Sequence, residues 1–429
     1  MSWGYVLLGC LLAAAAIYTV IPDVFLHRWG IGSWKRQYTP GVTLTFDDGP
    51  DPDITPKILE ILKRYQVSAT FFVVAEKAKQ FPDLIRQILE EGHTIGLHSL
   101  NHRYAWFTSP WKTVREWQES LRILEELTSS KIALMRPPWG TFNLMTWWWC
   151  RQNKMRVVLW NVEGHDWVSG RTPEEISKRI LKRTNEGTIV VLHDSGGEPG
   201  SRKNTVAALE ILCRRIVEDM KLPLVPLEFP EWKLGKRFMF RIWEKWEHYY
   251  ARKHHVIRID AANIFRLEKS IYGGPTLFSE DGVVVAQNGD QVAEIHLDNI
   301  RLQAKGRDSQ RTALKALHQA RESFPGLAHY VQNDPDYAAI KVFVAETLLF
   351  RAVKGFGFKI EPLPDTSKSK GVAWLQKMIM RIYHPEGKKR KNERMGDKTM
   401  LVWTTREKLI EVGEGFRKHA RSTIRQAKE

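Results

Sequence analysis

The stretch Thr43-Leu-Thr-Phe-Asp-Asp-Gly-Pro50 decides how this chain is read. Apolar and β-branched residues run from Thr43 to Phe46, followed by two acids, a glycine and a proline. The run reads as a buried strand, and Gly49-Pro50 ends it with turn chemistry. Asp47 and Asp48 therefore stand at the C-terminal tip of a strand, where α/β folds collect their active sites. Neighbouring residues at such a tip point in different directions, so one acid can hold a metal while the other handles a proton. The plain alternative is an acidic turn that caps the next helix, because Asp is an ordinary turn former.

Working outward, the chain alternates strand and helix. Thr55-Pro56 predicts an N-cap with Pro at the first helical position, and Ile58, Ile61, Leu62 and Tyr65 share a face behind it. Residues 69–75 read as a buried strand. A second helix opens at Pro82 and ends at Gly92. Residues 94–97 read as a strand, 113–127 as a helix, and short strands recur near Ala133, at 157–160 and at 188–192. Such alternation predicts a mostly parallel sheet or barrel.

The other polar clusters each stand at a strand end. His98-Ser-Leu-Asn-His102 puts two histidines at i and i+4, the spacing of one face of a helical turn, which suits one cation. With Asp48 they make a two-His, one-carboxylate set. Three protein ligands leave room for water, the mark of a catalytic rather than a structural metal. Zn²⁺ fits these donors, and so do Co²⁺, Fe²⁺ and Mn²⁺. Arg136-Pro-Pro-Trp-Gly140 presents a guanidinium on a rigid turn, able to keep a carboxylate ionised. Glu163-Gly-His-Asp-Trp167 follows the strand at 157–160. Ile189-Val-Val-Leu-His-Asp194 places His193 at a buried strand tip, as a capped core residue or as a general acid near neutral pH.

Taken together and in this order, the clusters resemble the polysaccharide deacetylases of the NodB-homology type, carbohydrate esterase family 4, over roughly residues 40–228. The resemblance implies a distorted (β/α) barrel and a metal-dependent hydrolase that removes N-acetyl groups from GlcNAc-type polysaccharide, either peptidoglycan or chitin-like oligomers. It assigns Asp48, His98 and His102 to the metal, Asp47 to the general base and Arg136 to its tether. His193 becomes the general acid and Asp166 its orienting partner. Trp139 would offer its backbone N–H to the oxyanion and its ring as a wall. Val191 stands in the acetyl-methyl pocket and Trp167 beside the sugar. Two positions depart from the family pattern: Glu163 stands where the fourth motif usually begins with Asp, and Val191 where the fifth often has Leu. The rival expectations are an O-deacetylase on the same machinery and an inactive glycan-binding protein on the same scaffold.

Residues 3–21 carry no charge and run up to Pro22, about the length that crosses a bilayer as a helix. The expected organisation is an anchor over residues 1–22, a catalytic domain over 38–228 and a smaller α+β domain over 236–429. Arg28, Lys35 and Arg36 would hold the body in the cytoplasm by the positive-inside rule. The glycan substrates of the resembled family lie outside, so the expected location is the cell membrane with the catalytic domain extracellular.

Residues 221–234 carry Pro223, Pro226 and Pro230 and read as a linker. Beyond it the charge changes character. Residues 236–429 hold 36 Lys and Arg against 23 Asp and Glu, whereas residues 1–235 hold 29 against 26. Helices are expected at 238–250, 308–323 and 338–354, and strands at 292–297, 356–361 and 399–403. The stretches Asp290-Gln-Val-Ala-Glu-Ile-His-Leu-Asp-Asn299, Phe350-Arg-Ala-Val-Lys-Gly-Phe-Gly-Phe358 and Leu401-Val-Trp-Thr404 resemble a YkoP-like domain, from which no activity follows. His296 and Asn299 are its candidate functional residues, although a strand-end His is commonly structural. Lys388-Lys-Arg-Lys391 suits anionic lipid or wall polymer. Nothing else resembles a nucleic-acid module. Three cysteines, Cys10, Cys150 and Cys213, are too few and too scattered for a disulfide framework.

Overall fold

Strand β2, Thr43–Asp47, lies inside an eight-stranded sheet and is buried along its whole length. The other strands are β1 Ser33–Trp34, β3 Thr70–Val73, β4 Thr94–Leu97, β5 Leu134–Met135, β6 Arg156–Val158, β7 Val162–Glu163 and β8 Ile189–His193. Their order is β1-β6-β5-β4-β3-β2-β8-β7. Every pairing is parallel. The sheet curls into an open, distorted barrel with helices outside it. These features come from a computed structural model that describes residues 3–229, 234–260, 263–298, 309–347, 350, 352–363, 371, 374–375, 378 and 399–426.

The side-chain period of two sorts β2 into two faces. Leu44 and Phe46 point one way and are fully buried, with Phe46 stacked on Phe71 at 5.0 Å. Burying a side chain of this size contributes about 1.5–3 kcal/mol. Thr45 and Asp47 point the other way, into the barrel, where Arg136 meets both. Adjacent strands place β2 and β8 in register, so Thr45 pairs Val191 and Asp47 pairs His193. Val191 therefore shares the inner face with His193.

Several expectations are corrected. The sheet gains β1 and β7, two-residue strands too short to show a period. Because β1 pairs with β6, the sheet begins at Ser33, upstream of residue 38. The N-terminal helix does not stop at Pro22 but runs from Trp3 to Arg28. Its last turns are π-type over Ala16–Val20 and Val24–Arg28, a wider winding that accommodates a residue without an N–H. Thr55 does not cap its helix, Thr55–Arg64. Asp51 takes the free N–H groups of Asp53 and Ile54, while the Thr55 hydroxyl donates to Asp194 at 2.6 Å. Residues 222–229 are also no free linker. Leu224 bridges to Val42, and Leu227 and Phe229 pack beside Phe72, Val158 and Ile189.

The chain divides into two units, Met1–Pro230 and Glu231–Glu429. In the second, a six-stranded sheet has the order β15-β16-β14-β13-β10-β9. Its strands are β9 Ile257–Arg258, β10 Phe265–Ile271, β13 Gln291–Leu297, β14 Val342–Thr347, β15 Lys359–Pro362 and β16 Met400–Thr405, and β11 Leu277–Phe278 pairs separately with β12 Val284–Ala286. The helices Ser309–Asn333 and Arg406–Gln426 cover one face, where Leu267, Ala293, Ile295, Phe324, Leu327 and Leu409 form the core. Within the helix expected over 338–354, Val342–Thr347 is strand β14 and Ala352–Phe356 a 3-10 helix. Val342 and Val344 pack beside Leu401 and Trp403 there, and pairing with β13 and β16 overrides helix propensity. Asn299 and Lys388–Lys391 lie outside the described residues.

Candidate active site

Asp48 leaves the tip of β2 in a left-handed conformation, φ 76°, and its carboxylate turns back over the barrel mouth. The loop after β4 brings two histidines to it. His98 Nε2 stands 3.2 Å and His102 Nε2 2.9 Å from Asp48 Oδ1. The two histidines are not on a helical turn, as the i, i+4 spacing suggested. Their loop carries Ser99 at φ 77° and His102 at φ 55°, and the Ser99 hydroxyl accepts the His102 N–H at 2.9 Å. Trp139 is left-handed as well, at φ 52°. Each such residue costs on the order of 1–3 kcal/mol, so strain gathers at these loops and the surrounding fold must impose it.

The electrostatics of this corner call for a cation. His98 Nδ1 donates to the Arg136 carbonyl at 2.7 Å, which fixes the tautomer and leaves Nε2 as a lone pair facing Asp48. Asp48 Oδ1 is buried and has no well-aligned hydrogen-bond donor among the described residues. Two acceptors at this separation repel unless a proton or a metal ion lies between them. Burial works against charge on Asp48, and the imidazoles of His102 and His98 more than offset it, holding the carboxyl well below its ordinary range. Asp48, His98 and His102 thus offer one carboxylate oxygen and two ring nitrogens, all within 4.8 Å of one another, a donor set that fits a divalent metal. Gly196, at φ 70°, lets the backbone pass close over the site. A Cβ there would stand 2.9 Å from Asp48 Oδ2.

Asp47 faces the same corner. Arg136 Nη1 donates to Asp47 Oδ1 at 2.6 Å and to Thr45 Oγ1 at 2.8 Å, while Arg136 Nε donates to the Val158 carbonyl at 3.1 Å. Both members of this ion pair are buried, and breaking such a pair typically costs about 3–5 kcal/mol. The other oxygen, Oδ2, lies 4.0 Å from His98 Nε2, on the side of the candidate metal ligands.

On the opposite side, His193 Nδ1 donates to Asp166 Oδ1 at 2.9 Å, which leaves Nε2 available to a substrate. Burial disfavours the imidazolium. The charge and hydrogen bond of Asp166, with Asp48 and Asp47 behind them, override it and raise His193 to about 9. The Trp167 ring stands edge-on to His193 at 5.3 Å. Trp139 lies over His102 at 4.3 Å and beside Tyr104 at 5.3 Å, and it is 51 % exposed. The structure therefore brings Asp47, Asp48, His98, His102, Arg136, Trp139, Asp166, Trp167 and His193 to one mouth, with Val191 below on the wall. Glu163 is set apart. It accepts from Trp160 Nε1 at 2.8 Å and meets His165 at 3.1 Å, touching none of the others.

Sequence reasoning passed over the residues that hold these groups in place. Asp166 is fully buried and accepts from Arg202 Nη1 at 3.2 Å, the Thr205 hydroxyl at 2.9 Å and the His193 N–H at 2.9 Å. Lys77 Nζ donates to the Asp48 carbonyl at 2.8 Å and the Ser195 hydroxyl at 2.7 Å. Asp194 sits beneath Gly49, and burial lifts its carboxyl to about 7. Arg202, Thr205 and Lys77 lie inside helices rather than at strand tips, so no local pattern marks them. Asp194, next to His193, was readable and was passed over.

The polysaccharide deacetylase family model matches residues 35–158, and the YkoP domain model matches residues 236–412. The chain is similar to a peptidoglycan-N-acetylglucosamine deacetylase of Bacillus cereus, 36% identical over 170 residues, which are 39% of this chain and 78% of that protein. A second Bacillus cereus protein of the same description is 31% identical over 202 residues, 45% of this chain and 71% of the other. The peptidoglycan-N-acetylmuramic acid deacetylase PdaC of Bacillus subtilis is 34% identical over 155 residues, 36% of this chain and 32% of that protein.

Proposed function

Since the chain belongs to the polysaccharide deacetylase family and is an N-deacetylase, we propose that it removes the acetyl group from N-acetylglucosamine residues of peptidoglycan. The relatives of that description, similar over most of their own length, support this substrate. The observation that carries the chemistry is the pairing of Asp47 with His193 across β2 and β8. One is held by a buried arginine and the other by a buried aspartate, on either side of the metal-ligand set.

Asp48, His98 and His102 would hold a divalent ion, which we take to be Zn²⁺. A bound divalent ion polarises the acetyl carbonyl and makes a water acidic enough to attack near neutral pH. Asp47 takes a proton from the attacking water through Oδ2, while Arg136 keeps its other oxygen engaged. The backbone N–H of Trp139 donates to the oxygen on which negative charge gathers, an effect typically worth about 3–4 kcal/mol. His193 Nε2 gives its proton to the amide nitrogen as the C–N bond breaks, so the glucosamine leaves as a neutral amine beside acetate. The Asp166 carboxylate keeps that proton on His193 until it is needed. Val191 lines the acetyl-methyl pocket, and the rings of Trp139 and Trp167 wall the sugar.

We place the enzyme in the cell membrane, anchored by the helix Trp3–Arg28 with the catalytic unit outside. Two observations favour a retained anchor over a removed leader. Tyr18 donates to the Thr108 carbonyl at 2.8 Å, and Asp23 accepts the Phe142 N–H at 3.0 Å, so the end of the helix is built into the catalytic unit. Beside that contact Phe107 and Trp111 are 88% and 87% exposed, side chains suited to a bilayer interface.

The test is acetate release from peptidoglycan by the full chain in detergent, with mass spectrometry of the muropeptides to locate the lost acetyl group. Loss from N-acetylglucosamine supports the proposal. Loss from N-acetylmuramic acid would overturn the substrate and leave the chemistry standing. Release from O-acetyl groups alone would assign an esterase.

A further inference from the structure

The YkoP-matching unit carries a second constellation of side chains able to ligate an ion, none of which takes part in the proposed deacetylase chemistry. In the antiparallel pair β10 and β13, Glu268 stands directly opposite Glu294, and Arg266 opposite His296. Side chains of paired residues share a face, so all four lie on the side of the sheet away from the Leu267, Ala293 and Ile295 core. The end of the helix Leu234–Lys253 adds Tyr250 and His254, whose rings stack at 4.1 Å. Glu268 is nearly buried, and each of its oxygens meets an imidazole. His254 Nδ1 is 3.1 Å from Oε1, and His296 Nε2 is 2.9 Å from Oε2. Glu294 Oε2 lies 3.8 Å from the same His296 nitrogen.

Two features of this arrangement go beyond a hydrogen-bonded polar patch. Carboxylates placed directly opposite on paired strands destabilise a sheet unless positive charge lies between them. Arg266, the adjacent cation on this face, is turned toward Asp298 at 2.5 Å and Glu247 at 3.2 Å. Glu268, Glu294 and His296 also bring their three donor atoms within 4.8 Å of one another, the same convergence shown by Asp48, His98 and His102. The nearest nitrogen-to-oxygen distance is 2.9 Å in each.

We propose that Glu268, Glu294 and His296 bind one divalent transition-metal ion, with His254 orienting Glu268 through its other oxygen. One imidazole and two carboxylates are borderline donors that take Zn²⁺, Co²⁺ or Mn²⁺. Glu294 is 39% exposed and His296 29%, so the ion is open to solvent and to a further ligand on that side. The Tyr250 ring, 6.2 Å from His296, forms one wall.

The experiment counts metal rather than activity. Full-length protein in detergent is stripped with a chelator, dialysed against low micromolar Zn²⁺, and its bound zinc is measured by elemental mass spectrometry. The expected stoichiometry is two ions per chain. It falls to one in His98→Ala/His102→Ala, to one in Glu268→Gln/His296→Gln, and to none in the fourfold variant. One ion in the wild type, with Glu268→Gln/His296→Gln unchanged, overturns the proposal. Should that double variant fold poorly by circular dichroism, Glu294→Gln decides. In the His98→Ala/His102→Ala background it is expected to weaken zinc binding at least about tenfold, and an unaltered titration contradicts the site.

Discussion

In the deacetylase unit Asp48, His98 and His102 leave the sheet on two loops at strand tips, whereas in the C-terminal unit Glu268, Glu294 and His296 stay on two paired strands. The proposed loop ligands include two residues at positive φ, Asp48 and His102, and His98 is only 1% exposed. The strand ligands need no unusual backbone, because register alone sets them side by side. A site made on strained loops is pre-shaped and sheltered, and it leaves an orphaned buried oxygen when no cation is present. A site made by register is open, and its carboxylate falls back on hydrogen bonds from two histidines. The first arrangement suits chemistry in a low-dielectric pocket. The second suits holding an ion, or a ligand through an ion, at a surface.

The sharpest way to break this contrast is to remove the loop ligands. His98→Ala or Asp48→Asn is expected to abolish acetate release to background, and a chelator should do the same to the wild type until Zn²⁺ is restored. Next comes the proton-transfer pair. Asp47→Asn should retain the ion but lower kcat by about 10²–10⁴, read as acetate release at constant bound zinc. Arg136→Met should follow it in activity, and in addition lower the unfolding free energy by about 3–5 kcal/mol in a denaturant titration.

The pH profile tests the other flank. As the proposed general acid His193 must carry its proton, and Asp166 raises it from 6.5 to about 9, so activity is expected to hold through neutral pH and fall as pH rises through that value. In Asp166→Asn the alkaline limb should move down toward about 6.5, the ordinary histidine value. The same shift has a stability consequence. The His193–Asp166 contribution is fully present below the unfolded pKa of about 6.5 and is lost as pH climbs through the folded one. Smallest of all, Glu163→Asp should alter kcat/KM by only about twofold, since Glu163 touches Trp160 and His165 and a change away from the reacting groups rarely exceeds about 0.5 kcal/mol.

Strand tips were the legible part of this molecule. A buried apolar run that ends in an acid or a histidine places that residue at a sheet end with little ambiguity, and Asp47, Asp48, His98 and His193 all stand there. What holds those residues was far less visible. Arg202 and Thr205 reach Asp166 from a helix, and Lys77 reaches the Asp48 carbonyl from another, contacts that only tertiary packing creates. The i, i+4 spacing of His98 and His102 pointed to one cation but to the wrong backbone, because a left-handed pair of residues gives the same convergence as a helical turn. In the C-terminal unit Val342–Thr347 falls inside a stretch expected as helix, and pairing on both edges makes it strand. In the sequence His296 is named beside Asn299 and not with its spatial partners. Its partners Glu268 and His254 are 28 and 42 residues away in sequence, and the register that unites them is not a local property.

The most direct test of the account is acetate release from peptidoglycan by zinc-loaded full-length protein, wild type and Asp47→Asn, across pH 6 to 10. The account predicts metal-dependent release from N-acetylglucosamine that is nearly lost in Asp47→Asn and declines on the alkaline side near pH 9 in the wild type. Release that is unaffected by Asp47→Asn, with zinc bound in both proteins, would contradict it.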